Sequence, residues 1–261
     1  MSLWSRDNLR IALAPNGLAL LRYNGQPGKP SASKVIACDT RDWQSLMPLL
    51  EHELADPAWR APHVEVVLSN HYVRYVLTSP PGKALSQIEE AALVAASFRE
   101  IYGNEAIDWR IRTHSQPPQF GLVGAAIDEA LGLQLGGLFA RHLFTDWALN
   151  PLATLAAHRN SRRLADWWVL IEPGWACLFN AEGRYWRYLS SQPIDEQWRN
   201  QLPEMLEREA RMAGTQRGDK PLTAMIQPVG VGHGALPVTP GWNWQMAPQR
   251  SEHGVLALAA G

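Results

Sequence analysis

The stretch LRIALAPNGLALLRY at residues 9–23 reads as an apolar strand, a tight Pro-Asn-Gly turn and a second strand running back. A second stretch of the same design, WWVLIEPGWACLFNAEGRYWRYL, occupies residues 167–189. Each opens one half of a chain in which strand and helix signals alternate. A hairpin repeated at the head of each half predicts a duplicated α/β architecture of mixed sheets flanked by helices. The expected domains are 1–160, a first half with a small inserted subdomain, and 161–261, a second half.

Working outward from the first hairpin, KVIAC at 34–38 reads as a third strand. Trp43, Leu46, Met47, Leu50 and Leu54 then recur at the helical period, with Pro48 marking either a first turn or a kink. The segments VEVVLS (64–69) and HYVRYVLTS (71–79) read as strands, and Pro80, Pro81 and Gly82 end the second of them. A helical stripe runs from Leu85 to Tyr102, starting at Gly82 or Ser86 and stopping at Gly103. Strands are expected at 106–113 and 120–127, the latter apolar throughout like a strand covered on both faces. Asp128–Leu143 reads as a helix, and residues 147–157 lead into the second half. There the second hairpin, with its Ala-Glu-Gly turn at 181–183, precedes a helix near 195–213. In that helix Pro203 marks a first turn or a kink. A strand TAMIQPV, the run GVGHG at 230–234, a short strand WNWQM and an apolar segment GVLALAA follow.

Composition narrows the function classes. The chain has 261 residues, 46% hydrophobic and 19% charged, with a formal net charge of −1. That balance describes a globular protein with a substantial core. It gives no cationic surface with which to displace counterions from nucleic acid or acidic lipid. Arg159, Arg162 and Arg163 read as a solvated turn rather than a binding patch. Cys38 and Cys177 sit among apolar neighbours like reduced packing residues of a cytosolic protein, although spacing leaves a bridge between them open. The opening MSLWSRDNLRIALA lacks the continuous apolar region of a secretory signal. No run reaches the roughly 18 uncharged apolar residues that a membrane helix needs. A cytoplasmic location is the expectation.

A hairpin that holds nucleotide phosphates needs an acid at a strand end for the metal, and glycines that let backbone N–H groups approach. In the first hairpin Ile11, Ala12, Leu13, Ala14 and Pro15 precede Asn16 and Gly17, so the acid is missing and Pro15 lacks an N–H. The second hairpin keeps Glu172, Pro173 and Gly174, followed by the bulky Trp175. Gly230, Gly232 and Gly234 could cradle a phosphate or nucleoside, or simply form a loop. His233 lies in that run, and the eight histidines show no HxxxH or HExxH spacing. No GxSxG is present. Twelve tryptophans are the oddest statistic; most read as core, with one or two left to anchor a peptide or stack on a sugar.

Three of these passages carry a resemblance to the actin-like assembly proteins of type IV pili and type II secretion systems: PilM, the cytoplasmic part of GspL, and MshI. LRIALAPNGLALLRY stands in the place of the first phosphate hairpin of PilM. VEVVLSNHYVRYVLTSP is similar to that group's short strand, turn and strand ending in Pro. WVLIEPGWACLFNAEGRYWRYLS resembles the second hairpin, with Glu172 in the place of its acid and Gly174 matching its glycine. GVLALA resembles the closing helix.

The resemblance implies an actin-like (RNase H-like) duplicated fold, trimmed relative to full-length PilM. It also implies a vestigial nucleotide site at Asn16, Gly17, Glu172, Gly174, Gly230, Gly232 and Gly234. The expected protein is a non-catalytic platform that needs no cofactor and no metal. Its partner would be a PilN-like bitopic inner-membrane protein, bound through its cytoplasmic tail near residues 9–23 and 64–79. Arg74 or Tyr75 would contact that tail if either faces outward. The alternative is an ATPase or small-molecule kinase of the same fold that uses ATP and magnesium.

Overall fold

A computed structural model describes residues 7–24, 30–38, 42–153, 165–183, 185–215, 220–232 and 234–247. Arg159, Arg162, Arg163, His233 and the GVLALAA segment lie outside the described residues. Packing divides the chain into two compact units. One takes the described residues up to Val73 together with 127–153; the other takes Arg74–Ala126 together with 165–247.

The first unit is built on a five-stranded sheet. β1 (Asn8–Ala14) pairs antiparallel with β2 (Gly17–Tyr23), and β2 pairs antiparallel with β3 (Ala32–Ala37). On its other side β1 runs parallel to β4 (His63–Leu68), which runs parallel to β8 (Trp147–Pro151). The sheet order is therefore β3-β2-β1-β4-β8.

Between the third and fourth strands comes α1 (Leu46–Leu54), whose Leu46, Leu50 and Leu54 are buried. Each fully buried leucine is worth roughly 2 kcal/mol in transfer free energy. Pro48 is the third residue of α1 and so sits in the first turn, where its missing N–H costs no hydrogen bond. Lys34 on β3 reaches Glu53 of α1 at 2.7 Å, which fixes the helix over this face of the sheet. A second helix, α3 (Glu129–Arg141), packs beside α1 and is joined to it by Arg141 and Glu51 at 2.8 Å. Asp128 caps α3 by accepting from Ala130 N–H at 2.8 Å, and also accepts from the Trp43 indole at 3.2 Å.

The second unit repeats this plan. β9 (Trp167–Glu172), β10 (Trp175–Glu182) and β11 (Tyr185–Pro193) form an antiparallel meander. β9 then runs parallel to β12 (Leu222–Pro228), and β12 parallel to β13 (Trp242–Met246). The order β11-β10-β9-β12-β13 is that of the first sheet, strand for strand and direction for direction. α4 (Trp198–Met212) occupies the place of α1, between the third and fourth strands. It buries Trp198, Leu202, Met205 and Leu206 against Trp167, Val169, Ile171, Leu178, Ala224 and Ile226. Pro203 falls in the second turn of α4, one turn deeper than a first-turn proline would be.

The insert follows β4 in sequence. It comprises β5 (Arg74–Leu77), α2 (Gln87–Tyr102), β6 (Trp109–His114) and β7 (Val123–Asp128), in a three-stranded sheet of order β5-β7-β6. Ser86 starts α2 through a capping box with Glu89. Val94 and Phe98 on α2 pack with Val76, Leu122 and Ala126.

Besides the strands expected from 71 and 120, which begin at Arg74 after a 3₁₀ turn and at Val123, three sequence expectations differ from this arrangement. Chain order placed the insert in the first half, whereas by packing Arg74–Ala126 joins the second unit, with β5 against β11. Residues 147–151, a connector by sequence, form the fifth strand of the first sheet. Their half-buried side chains and Asn150-Pro151 ending gave no alternating signal. Residues 103–108 form a 3₁₀ turn, so β6 begins at Trp109 rather than at 106.

Candidate functional site

The two hairpin turns can be compared position by position, because both are two-residue turns in sheets of the same order. Ala14 faces Gly17 across the first turn, and Glu172 faces Trp175 across the second. Pro15 thus corresponds to Pro173, Asn16 to Gly174, and Ala14 to Glu172. The acid that the second hairpin carries is a methyl group in the first.

In the first turn, Gly17 adopts φ 145°. A Cβ built on it would lie 2.1 Å from the Ile36 carbonyl oxygen, so the neighbouring strand itself requires glycine here. The Asn16 carbonyl accepts from Cys38 N–H at 3.0 Å, and Leu13 accepts from Ser69 N–H at 2.9 Å. The glycine and the turn carbonyl are therefore both used in closing the sheet. Tyr72, just beyond β4, has its hydroxyl pushed up in pKa by burial, with the nearby Asp42 and Cys38 adding to the effect. It is held as a neutral phenol.

In the second turn, Glu172 is only 2% exposed, and Gly174 takes φ 76° as the second residue of a Pro-Gly turn. The Trp175 indole donates to Ser191 Oγ at 2.6 Å, and the Arg74 guanidinium lies 5.6 Å from its ring. Burial raises the Cys177 thiol well above its ordinary pKa, and the Glu172 carboxylate pushes in the same direction. Cys38 and Cys177 are both thiols.

The glycine-rich run lies beside this second turn. Val229 N–H donates to the Ile171 carbonyl at 2.7 Å, which sets Gly230, at φ 73°, next to the Glu172 end of β9. Arg199 from α4 fills the bend that follows. Its guanidinium donates to the Gly232 carbonyl and stacks 4.4 Å from the Trp198 ring, and a Cβ on Gly234 would fall 2.8 Å from its Nε. That Nε is buried without a hydrogen-bond partner among the described residues. A protein cation thus lies against Gly232 and Gly234.

Of the sequence candidates, Glu172, Gly174 and Gly230 come together on the second unit, with Gly232 and Gly234 around Arg199. Asn16 and Gly17 belong to the first unit. Tyr75 is 8% exposed and does not face outward, because it sits in the buried middle of β5. Arg74 is half-buried over Trp175. No described tryptophan is exposed. The indoles pack in the core in pairs such as Trp242 with Trp244, parallel at 5.4 Å, and Trp168 with Phe179. Arg199 was not anticipated, and its place next to Trp198 at the head of a helix is the only signal the sequence offers for it.

These residues do not fit a metal–phosphate clamp. Such a clamp draws acids from both hairpins. Here one turn offers Glu172 and the other a methyl group, and each turn spends a position on proline, which has no N–H to offer. Among the described residues no three His, Cys, Asp or Glu side chains gather where they could hold an ion. No described helix is long and apolar enough to cross a membrane.

No protein-family model matches the chain, and no curated protein matches it in sequence. Solved structures do match. The cytoplasmic domain of EpsL, an inner-membrane component of the type II secretion system of Vibrio cholerae, aligns with TM-score 0.63 at 14% identity, over 97% of this chain and 92% of that one. A PilM–PilN type IV pilus biogenesis complex aligns with TM-score 0.62 at 13% identity, covering 98% and 97%. A Bacteroides thetaiotaomicron protein with an actin-like ATPase fold aligns with TM-score 0.58 at 10% identity, covering 88% and 86%. At these identities the likeness establishes the fold: the chain has the duplicated, actin-like α/β architecture.

Proposed function

We propose that this chain is a non-catalytic cytoplasmic platform of a type IV pilus or type II secretion-like apparatus, held at the inner membrane by the cytoplasmic tail of a bitopic, PilN-like partner. The observation that carries the reading is the correspondence of Ala14 in one sheet to Glu172 in the other, at equivalent strand ends. Half of the acidic machinery is absent, while the fold around it is complete. The contact of the Arg199 guanidinium with the Gly232 carbonyl, and its closeness to Gly234, support the same reading, since a side chain of the protein already uses these glycines. Fold likeness over nearly the whole of both chains supports the choice of apparatus. In this reading the protein works without ATP or magnesium.

The tail would be received in extended form. The first hairpin and the β4–β5 segment remain the surface offered to it, and because β1, β2 and β4 are paired on both sides, side-chain contacts rather than strand addition would hold it. Arg74 is the side chain proposed to contact it, since Tyr75 is turned inward.

The discriminating experiment is a thermal-shift titration of the full chain with magnesium-ATP, because a ligand that binds only the native state must raise the melting temperature. No shift at millimolar nucleotide is expected. A saturable rise of several degrees that vanishes in Glu172→Gln would instead establish the nucleotide-dependent alternative. The partner is tested separately, by capture of the chain on an immobilised cytoplasmic tail of a neighbouring bitopic protein. Arg74→Glu is expected to weaken that capture.

A further inference from the structure

β3 and β11 are equivalent third strands at the edges of equivalent sheets, yet their edges are treated differently. On β11, Trp186 N–H donates to Gln116 Oε1 at 2.6 Å and the Trp186 carbonyl accepts from Gln116 Nε2 at 3.1 Å. A side-chain amide from the insert thus stands in for a neighbouring strand, and β5 lies against the same element.

No described strand covers β3 in this way. Cys38 N–H bonds to the Asn16 carbonyl. Because bonding alternates along an antiparallel ladder, residues 32, 34 and 36 likewise turn their backbone groups toward β2. Ser33, Val35 and Ala37 therefore present N–H and C=O to the side away from β2, where no described strand pairs with them. All three are exposed, Val35 at 38%.

Open edges are ordinarily blunted by proline, a bulge or an outward charge. Along Ala32–Ala37 β3 has no proline and an unbroken register with β2, the one irregularity being Ser31 N–H on the Arg22 carbonyl just before it, and its single charge, Lys34, is paired with Glu53 of the same chain.

We propose that β3 is the pairing edge for a second copy of this chain, added antiparallel about a two-fold axis at Val35. Val35 then meets Val35 of the other copy, Ser33 meets Ala37, and Lys34 meets Ile36. The choice of occupant follows from charge. A strand whose only charge is already matched internally attracts no charged segment, and two such strands meet without like-charge opposition. The inference does not depend on the platform reading. A six-residue strand pair buries well under the ~1,000 Å² of a stable interface, so the dimer is weak and dependent on concentration.

Sedimentation equilibrium of the full chain, from low micromolar to the highest soluble concentration, is expected to show reversible dimerisation. Val35→Pro deletes an outward N–H without touching the β2 ladder, and should raise the dissociation constant about tenfold or more. Val35→Lys sets two like charges across the axis and should do the same with a salt dependence, which keeps the test valid if the proline variant fails to fold. The register places residue 32 opposite Cys38 of the other copy, so Ala32→Cys should form a covalent dimer on oxidation. A chain that stays monomeric at every concentration overturns the proposal. So does a dimer that survives both Val35 variants.

Discussion

Two sheets of the same strand order and direction sit in this chain, and where one presents Glu172 at the end of its first strand the other presents Ala14. The difference shows what a duplicated fold needs in order to persist. Leu9, Ile11 and Leu13 in one half, and Trp167, Val169 and Ile171 in the other, are fully buried and specify the sheet. The strand-end position filled by Ala14 in one half and Glu172 in the other can differ, because burial of the strands does not depend on it. Architecture and chemistry draw on different residues even when these are adjacent in sequence.

The sharpest way to break the comparison is at the turn glycines. Gly17→Ala forces a methyl group into the Ile36 carbonyl, and should cost about 3 kcal/mol or more. The equivalent-turn variant Gly174→Ala meets mainly its own positive φ, and should cost roughly 1–2 kcal/mol. Denaturant midpoints of the two variants test the order. Equal losses would mean that Gly17 is not held by its neighbouring strand.

Next in size is the clasp on the β11 edge. Gln116→Ala strands the N–H and carbonyl of Trp186, and should destabilise by about 2 kcal/mol. Urea unfolding reads this directly, and hydrogen exchange at Trp186 should accelerate. An unchanged exchange rate would place the protection of that edge elsewhere.

The smallest effect distinguishes the helices over the two sheets. On α4, Glu209 is 3% exposed and accepts from the Tyr188 hydroxyl at 2.6 Å and from Arg208 Nε at 3.0 Å. Burial pushes its pKa up, but these hydrogen bonds outweigh burial and leave it below the ordinary carboxylate value. A depressed native pKa means that the unfolded chain binds the proton first. Its stabilisation is therefore complete above about pH 4.3, the unfolded value, and is lost as pH falls through the lower native one. Glu209→Gln should cost about 1.5 kcal/mol at neutral pH, and the gap to the native protein should close in acid. Melting temperatures of both proteins between neutrality and pH 3 measure it; a gap that widens in acid would reverse the sign.

Most of the architecture could be read from the sequence because strands and helices announce themselves by burial pattern. The hairpins, the α2 start at Ser86 with its stop at Gly103, and the strand TAMIQPV stand where periodicity put them. β8 could not be read, since residues 147–151 are half-buried throughout and show no alternation. The insert's allegiance was hidden for a different reason: it rests on long-range packing of β5 against β11, helped by Gln116, 70 residues from the backbone it binds, and sequence periodicity carries no such pairing. At the candidate site the missing acid was visible as Ala14 and Pro15. Arg199 in the glycine bend was not, because an arginine on an amphipathic helix looks the same whether it meets solvent or a carbonyl.

Gly17, pinned against the Ile36 carbonyl, ties the length of its turn to the place of β3. A side chain at residue 17, or a residue inserted beside it, has to push the neighbouring strand aside, so this turn can be remodelled only together with the edge of the sheet.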